Sequence, residues 1–234
     1  VSHAQGGFYK GRKLGTIGDI GAMSIYSLRF GTGSTAPITL SGGALTLTST
    51  GGSDQTVAGG EASALYDAVD TIEMTVACPV ELPSGTHCFT IGEKAKLHIS
   101  GVISGKGGFH RHGVKGSDAN GAGTLTLSAA NTFEGGVTLR SATTVLSHVQ
   151  ALGKAGKTVN MFYPATYNFE AAGDWDYVFS FKEGTATFNI DANIRFLHGF
   201  TEVGNYTTCT FKLGGTAKRI DFMGKVGIAS GAGA

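Results

Sequence analysis

The sequence predicts an all-β fold, a right-handed parallel β-helix (β-solenoid) that forms one elongated domain over residues 1–234. Three observations carry this prediction. Glycine is abundant, at 38 of 234 residues with only 4 prolines, which is typical of a chain with many tight turns. Hydrophobic residues make up 41% of the chain, enough for a continuous core. Short runs of alternating apolar and polar residues recur from end to end.

The alternating runs are short and are bounded by Gly, Asn, Asp and Ser. Alternate residues in each run are mostly Leu, Ile, Val, Met or Phe, and those between are mostly Thr, Ser, Glu or Lys. Each strand is therefore expected to have one buried face and one face exposed to solvent. Such short strands suit the faces of a coil, where each strand pairs with its equivalent one coil away. The runs are residues 38–40, 44–49, 71–76, 96–100, 124–128, 137–139, 177–181, 185–190 and 210–213.

The charges are few and sorted into blocks. The formal net charge of +1 gives no electrostatic case for binding nucleic acid. Residues 51–93 carry only acids and residues 94–116 only bases, so neighbouring coils of a solenoid would neutralise each other; a lateral docking surface is the alternative. No apolar run approaches the length of a transmembrane helix, which argues against membrane insertion.

The chain has three cysteines, an odd count. Cys78 and Cys88 are close in sequence, whereas Cys209 is distant. In an extracellular protein this spacing indicates a possible disulfide between Cys78 and Cys88 and one remaining thiol, and buried thiols in the core are the alternative. No spacing matches a zinc site, and no cofactor is expected.

Residues 121–141 read GAGTLTLSAANTFEGGVTLRS. This stretch resembles the autotransporter-associated β-strand repeat, also called the passenger-associated transport repeat. The likeness is clearest over residues 24–159 and fades beyond them. Ala129 stands where the family usually has Gly, and Ser141 with Ala142 departs from its usual closing Gly. The residues that carry the repeat are Gly123, Thr124, Leu125, Leu127, Asn131, Thr132, Phe133, Gly135 and Gly136.

Each part of the repeat has an expected structural role. Leu125 and Leu127 should point inward and stack on neighbouring coils, and Phe133 should fill a corner. Asn131 should hydrogen-bond backbone where the chain bends. The glycine pair at 135 and 136 should adopt positive φ and turn the strand into the next face.

Two segments have apolar residues at helical spacing, residues 61–70 and 143–154. Both are short and uncapped, so the first is interpreted as a single turn on a loop. The second is expected to be strand and turn, because the resemblance places a turn at Gly153 and Gly156.

The histidines offer the first candidates for chemistry. His110 and His112 flank Arg111 and would point to one side of a strand, where a metal site is conceivable. No third ligand is near in sequence, so solvated residues are the favoured interpretation. His87 precedes Cys88 without the Asn or Asp context of a catalytic pair.

Paired carboxylates are the second candidates, since glycosidases and lyases use them. Asp174 and Asp176 would share a strand face, with Trp175 between them as a sugar platform, although an exposed turn is favoured. A further acidic group comprises Asp67, Asp70 and Glu73. Neither group has a basic neighbour in sequence, although stacking of coils could supply one.

The resemblance implies no catalytic residues, so the chain is not expected to be an enzyme. It is expected to be an extracellular structural or adhesive β-solenoid, secreted or on the cell surface: a stalk, a surface passenger or a filament subunit. It would associate end to end or continue in a longer passenger, because nothing covers Phe222, Met223 or Ile228. The alternative is a carbohydrate-binding or lyase-like β-helix, and a polysaccharide or host surface is the possible partner.

Overall fold

The structure is a computed structural model that describes residues 17–25, 28–30, 37–48, 55–59, 73–92, 94–112, 123–203, 208–217 and 219–228. These residues form strands and turns and contain no helix, and hence no helical segment that could span a bilayer. Residues 61–70, with the expected single turn and the acids Asp67 and Asp70, lie outside the described residues.

The strands are β1 (Ile17–Ile20), β2 (Met23–Ile25), β3 (Leu28–Phe30), β4 (Ile38–Gly42), β5 (Leu45–Leu47), β6 (Gln55–Gly59), β7 (Glu73–Val76), β8 (Val80–Glu81), β9 (Thr86–Ile91), β10 (Lys96–Ile99), β11 (Ile103–Ser104), β12 (Gly108–His112), β13 (Thr124–Leu127), β14 (Val137–Leu146), β15 (Thr158–Phe169), β16 (Gly173–Trp175), β17 (Val178–Glu183), β18 (Thr185–Ile190), β19 (Ile194–Phe196), β20 (Phe200–Val203), β21 (Thr208–Leu213), β22 (Ile220–Phe222) and β23 (Val226–Ile228).

The strands stack in parallel on three faces, and each pairs with its equivalent in the next coil. Face 1 runs β1-β4-β7-β10-β13, then the second halves of β14 and β15, then β18-β21. Face 2 runs β3-β6-β9-β12, then the first halves of β14 and β15, then β17-β20-β23. Face 3 consists of β2-β5-β8-β11 and β16-β19-β22. The chain is therefore a β-solenoid, which confirms the predicted fold class; the right-handed sense stays a prediction.

Strand β14 turns the corner from face 2 to face 1 without an intervening loop. Its register shifts between Arg140 and Ala142. At this corner Ser141 has a φ of 45° and Ala142 a φ of 60°, the left-handed region that side chains other than glycine disfavour. These are the two residues that depart from the closing Gly of the repeat, so the corner keeps a glycine-like backbone without a glycine.

The segment 143–154 is strand followed by turn, as predicted against its helical spacing. Residues 143–146 complete β14, and the turn follows directly. Gly153 has a φ of 87° and Gly156 a φ of 78°, so both adopt the conformation that glycine favours. The inward Leu146 and Leu152 are both buried.

The core runs between the faces and changes character along the chain. In the first half it consists mainly of Leu, Ile and Val, as where Leu97 pairs with Leu125 in the next coil. In the second half it becomes aromatic. The Phe169 ring lies 4.7 Å from that of Trp175 and 5.4 Å from that of Phe196, both edge to face, a favoured arrangement of aromatic rings.

The possible Cys78–Cys88 disulfide is not formed, because both residues are thiols. Cys78 lies in the turn between β7 and β8, whereas Cys88 lies on face 2 in β9 and its Sγ contacts Thr90 Oγ1 at 3.4 Å. The two cysteines therefore belong to different sides of one coil. Both are buried, as the alternative interpretation of buried thiols requires.

Candidate functional site

The repeat motif of residues 123–136 places its apolar residues in the core, as predicted. Leu125 and Leu127 are fully buried on face 1 and pair with Thr144 and Leu146 in the next coil. Thr124, one position before Leu125, faces outward. The alternation of the motif therefore follows the pleat of β13.

Asn131 joins three successive coils through its side chain. Its Oδ1 accepts a hydrogen bond from the backbone N–H of Ile103 at 2.7 Å, and its Nδ2 donates to the backbone oxygen of Ala151 at 2.7 Å. Ile103 lies one coil earlier and Ala151 one coil later. Thr132, by contrast, is exposed, and its backbone N–H donates to the Ile103 oxygen at 2.9 Å. The asparagine thus replaces strand pairing where face 3 has no strand.

Phe133 fills the adjoining corner as predicted and is fully buried. Its ring centroid lies 5.5 Å from that of Phe109, which stacks on Phe89 at 4.7 Å. Lys157 Nζ lies 4.0 Å from the centre of the Phe133 ring and donates to the backbone oxygens of Phe133 and Gly135. Partial burial lowers the pKa of Lys157 to about 8. Cation–π contact and hydrogen bonds together fix this corner.

The expected positive φ at Gly135 and Gly136 is wrong, since neither is among the described residues with positive φ. Glycine at 135 is needed for a close approach instead. A Cβ there would lie 2.2 Å from the backbone nitrogen of Gly108. Gly123 likewise lies close to a neighbouring coil, where a Cβ would meet the oxygen of Gly92 at 2.3 Å. A Cβ on Gly136 would meet open space.

Charged side chains form a ladder on the outside of β16, β19 and β22. Asp174, Arg195 and Asp221 occupy equivalent positions in three successive coils. Arg195 donates to both carboxylate oxygens of Asp174, with Nε to Oδ1 at 2.6 Å. This hydrogen bond lowers the pKa of Asp174, so the group stays ionised. In the same two coils, Asp176 Oδ1 lies within hydrogen-bonding distance of His198 Nε2, at 2.6 Å.

Trp175 cannot serve as a sugar platform, because its side chain is fully buried against Phe169. Gly173 and Asp174 form strand β16 with it, and Asp176 follows the end of that strand, so the segment is not simply the favoured exposed turn. Asp174 and Asp176 do lie outside the core, and stacking does supply the basic neighbour that the sequence lacked. Arg195 is nevertheless engaged in an ion pair with Asp174, and His198 in a hydrogen bond with Asp176.

A column of threonines runs along the outside of face 1. It contains Thr124, Thr143, Thr166, Thr187 and Thr210, each paired with the next along the column. Beside it an open groove of about 400 Å³ is lined by Ala142, Thr143, Pro164, Ala165, Thr166, Thr185 and Thr187. The groove offers hydroxyl and methyl groups and no charge.

The histidine candidates lie on or under face 2. The rings of His110 and His112 are 5.8 Å apart. Burial lowers the pKa of His110, and the nearby charges of His112 and Arg140 lower it further. No group of three metal-ligating side chains occurs among the described residues. His87 is fully buried rather than paired with Cys88, and its Nε2–H donates to the Ser84 oxygen at 3.1 Å.

The partners of the charged residues lie one coil away and were not predicted from the local sequence. Asp174 and Arg195 are 21 positions apart, and Asp176 and His198 are 22 apart. Opposite charges separated by one coil length were the available signal. The acidic block at residues 51–93 and the basic block at 94–116 do supply one such pair. Lys96 lies 2.6 Å from Glu73 in the preceding coil, as neutralisation between coils predicts.

No protein-family model, curated protein or solved structure matches this chain. The likeness to the autotransporter-associated repeat therefore rests on the residues of the motif.

Proposed function

We propose that the chain is an extracellular structural β-solenoid, a stalk or surface passenger of the autotransporter type, whose coils pair end to end. The observation that carries the proposal is the open edge of the last described coil. Strands β21, β22 and β23 each pair with only one strand among the described residues. Unpaired strand edges are templates for further pairing.

The same coil exposes apolar side chains that a further coil would cover. Met223 is 64% exposed, Leu213 55% and Val226 53%, and Phe222 is also exposed. Of the six exposed large hydrophobic residues among the described residues, these four belong to this coil. An apolar cluster beside an unpaired edge indicates a bonding surface.

The functional side chains of the repeat and of the charged ladder support the structural role. Asn131 links coils through hydrogen bonds, and Asp174 links coils through Arg195. Trp175 is used for packing. These groups stabilise the stack, which is the property that a stalk requires.

Sedimentation velocity across a concentration series tests end-to-end pairing. The purified chain should form species whose mass grows with concentration, and Leu213→Lys with Met223→Lys should abolish them by placing charge on the edge. Val102→Lys is the matched control, because Val102 is 41% exposed in the turn between β10 and β11. Runs with and without reductant separate strand pairing from a Cys209-linked dimer, as Cys209 is a partly exposed thiol.

Two results would contradict this proposal. One is a chain that stays monomeric at all concentrations; the other is association that the two lysine substitutions leave unchanged.

The location of the chain is tested separately, by adding protease to intact cells that produce it. An extracellular chain is cleaved there, whereas a chain that is protected until the cells are lysed is not displayed.

Polysaccharide binding is the second candidate, and the threonine groove on face 1 supports it. Hydroxyl groups in register along consecutive strands can hydrogen-bond an extended glycan, and the methyl groups can contact its rings. Affinity electrophoresis against a polysaccharide panel tests this candidate. Thr166→Val with Thr187→Val should remove retardation, and Thr46→Val, on face 3, should not. Release of reducing ends or unsaturated uronates would favour a cleaving enzyme over a binding module.

A further inference from the structure

Arg111 is a buried cation without a carboxylate partner among the residues that the structure describes. Its side chain is fully buried, and it points from β12 into the core at the corner of β14. Nη1 donates to the backbone oxygens of Arg140 at 2.9 Å and Ser141 at 2.7 Å, and Nη2 donates to that of Gly123 at 2.7 Å. Within the described part of the chain, the Nε–H has no hydrogen-bond partner. A buried charge without a counter-ion is costly.

Three buried hydroxyl groups near this guanidinium also lack hydrogen-bond partners in the described ranges. They are Ser141 Oγ, Thr144 Oγ1 and Tyr167 OH. Ser141 belongs to the corner whose carbonyl Arg111 binds, and Thr144 pairs with Tyr167 in the next coil. All three side chains are buried. Buried polar groups in folded proteins are nearly always hydrogen-bonded, so this concentration of unpaired donors calls for an occupant.

The charge state of the cluster is fixed by the same burial. Burial lowers the pKa of Arg111 to about 10, which leaves the guanidinium positive at neutral pH. Burial raises the pKa of Tyr167, so its hydroxyl stays protonated. The cluster therefore presents a positive charge, an N–H and three O–H groups, all of which can donate to an anion.

We propose that Arg111, Ser141, Thr144 and Tyr167 form an interior site for a small monovalent anion of the halide type. The anion would neutralise the guanidinium and accept hydrogen bonds from Nε–H and the hydroxyls. Its role is structural, because it would hold the corner at Ser141 and Ala142 between three coils. This proposal is independent of how the chain associates or where it is located.

Thermal unfolding in different sodium salts at equal ionic strength is the first test. A ligand that binds only the folded state raises Tm in a saturable way. Chloride and bromide should therefore raise Tm relative to gluconate, to a plateau. A Tm that depends on ionic strength alone would overturn the proposal.

Conservative variants locate the effect without removing the buried arginine. Tyr167→Phe and Thr144→Val each delete one unpaired hydroxyl and should reduce the halide-dependent rise in Tm. Tyr177→Phe is the matched control, since Tyr177 is an equally buried tyrosine whose hydroxyl already donates to the Gly153 oxygen at 2.8 Å. It should lower Tm in every salt alike. An undiminished halide effect in both test variants would contradict the site.

Crystals grown in bromide give a direct readout. An anomalous peak within hydrogen-bonding distance of Arg111 Nε is expected. A water molecule alone at that position, with no anomalous signal, would show that the cluster is hydrated and binds no anion.

Discussion

The side-chain oxygen of Asn131 accepts a hydrogen bond from the backbone N–H of Ile103, with 2.7 Å between the two heavy atoms. Ile103 begins β11, the last strand of the first ladder on face 3. The coil that follows has no strand on this face, so its backbone cannot pair with β11 in the regular way. The amide supplies the missing acceptor and, through Nδ2, reaches Ala151 in the coil beyond.

Substitution Asn131→Ala should destabilise the chain by about 2–4 kcal/mol, because it leaves a buried N–H and a buried carbonyl unpaired. Chemical denaturation followed by far-UV circular dichroism measures the free energy of unfolding. Thr132→Ala is the control, since Thr132 is exposed next to it, and should change stability by no more than about 0.5 kcal/mol. Equal stability of the two variants would show that the asparagine bridge contributes nothing.

The strands were predictable because alternation is a local signal. Leu125 and Leu127 are buried and Thr124 is outward, as period two requires. The partners between coils were not predictable from a fixed period. Thr124 pairs with Thr143, 19 positions on, whereas Thr143 pairs with Thr166, 23 positions on. Since coil length varies, the sequence alone does not specify which outward side chains meet.

Other features depend on packing that only three dimensions reveal. Arg111 occupies an inward position that alternation assigns to an apolar residue. Trp175 lies between two acids yet faces the core, so its neighbours in sequence suggested a surface role that it does not have. The need for glycine at 135 comes from the backbone of Gly107 and Gly108 one coil away, whereas the glycine pair of the motif suggested positive φ.

Ala142→Gly should stabilise the chain by about 0.5–1 kcal/mol. A left-handed backbone costs a residue with a Cβ about 1–2 kcal/mol, more than the about 0.5–1 kcal/mol of added backbone entropy that glycine loses on folding. Ala165→Gly is the matched control, because Ala165 pairs with Ala142 in the next coil without a positive φ and packs on the core. It should destabilise. The midpoints of chemical denaturation of both variants and of the wild type measure these changes in stability. A lower midpoint for Ala142→Gly than for the wild type would contradict the prediction.

Trp175→Ala should cost about 3–5 kcal/mol, because it empties a fully buried site in the aromatic core. Asp174→Asn and Asp176→Asn should leave Tm close to that of the wild type, because the exposed ion pair of Asp174 and the exposed hydrogen bond of Asp176 contribute little. If a polysaccharide is cleaved at all, the two Asn variants should cleave it as the wild type does. Turnover that disappears in either of them at unchanged Tm would assign these carboxylates to catalysis.

The stability of the chain should decline in mild acid, and His87 should account for part of the decline. Burial lowers the pKa of His87 in the folded state, whereas an unfolded histidine titrates at about 6.5. As pH falls below about 6.5 the unfolded chain binds a proton that the folded chain excludes, so the free energy of unfolding decreases until the folded pKa is reached.

His87→Phe removes this titration, and its apolar ring suits a position that pairs with Phe109 in the next coil. Unfolding curves at a series of pH values should show a flatter acid limb for His87→Phe than for the wild type. Parallel acid limbs for the wild type and His87→Phe would show that this buried imidazole does not titrate on unfolding.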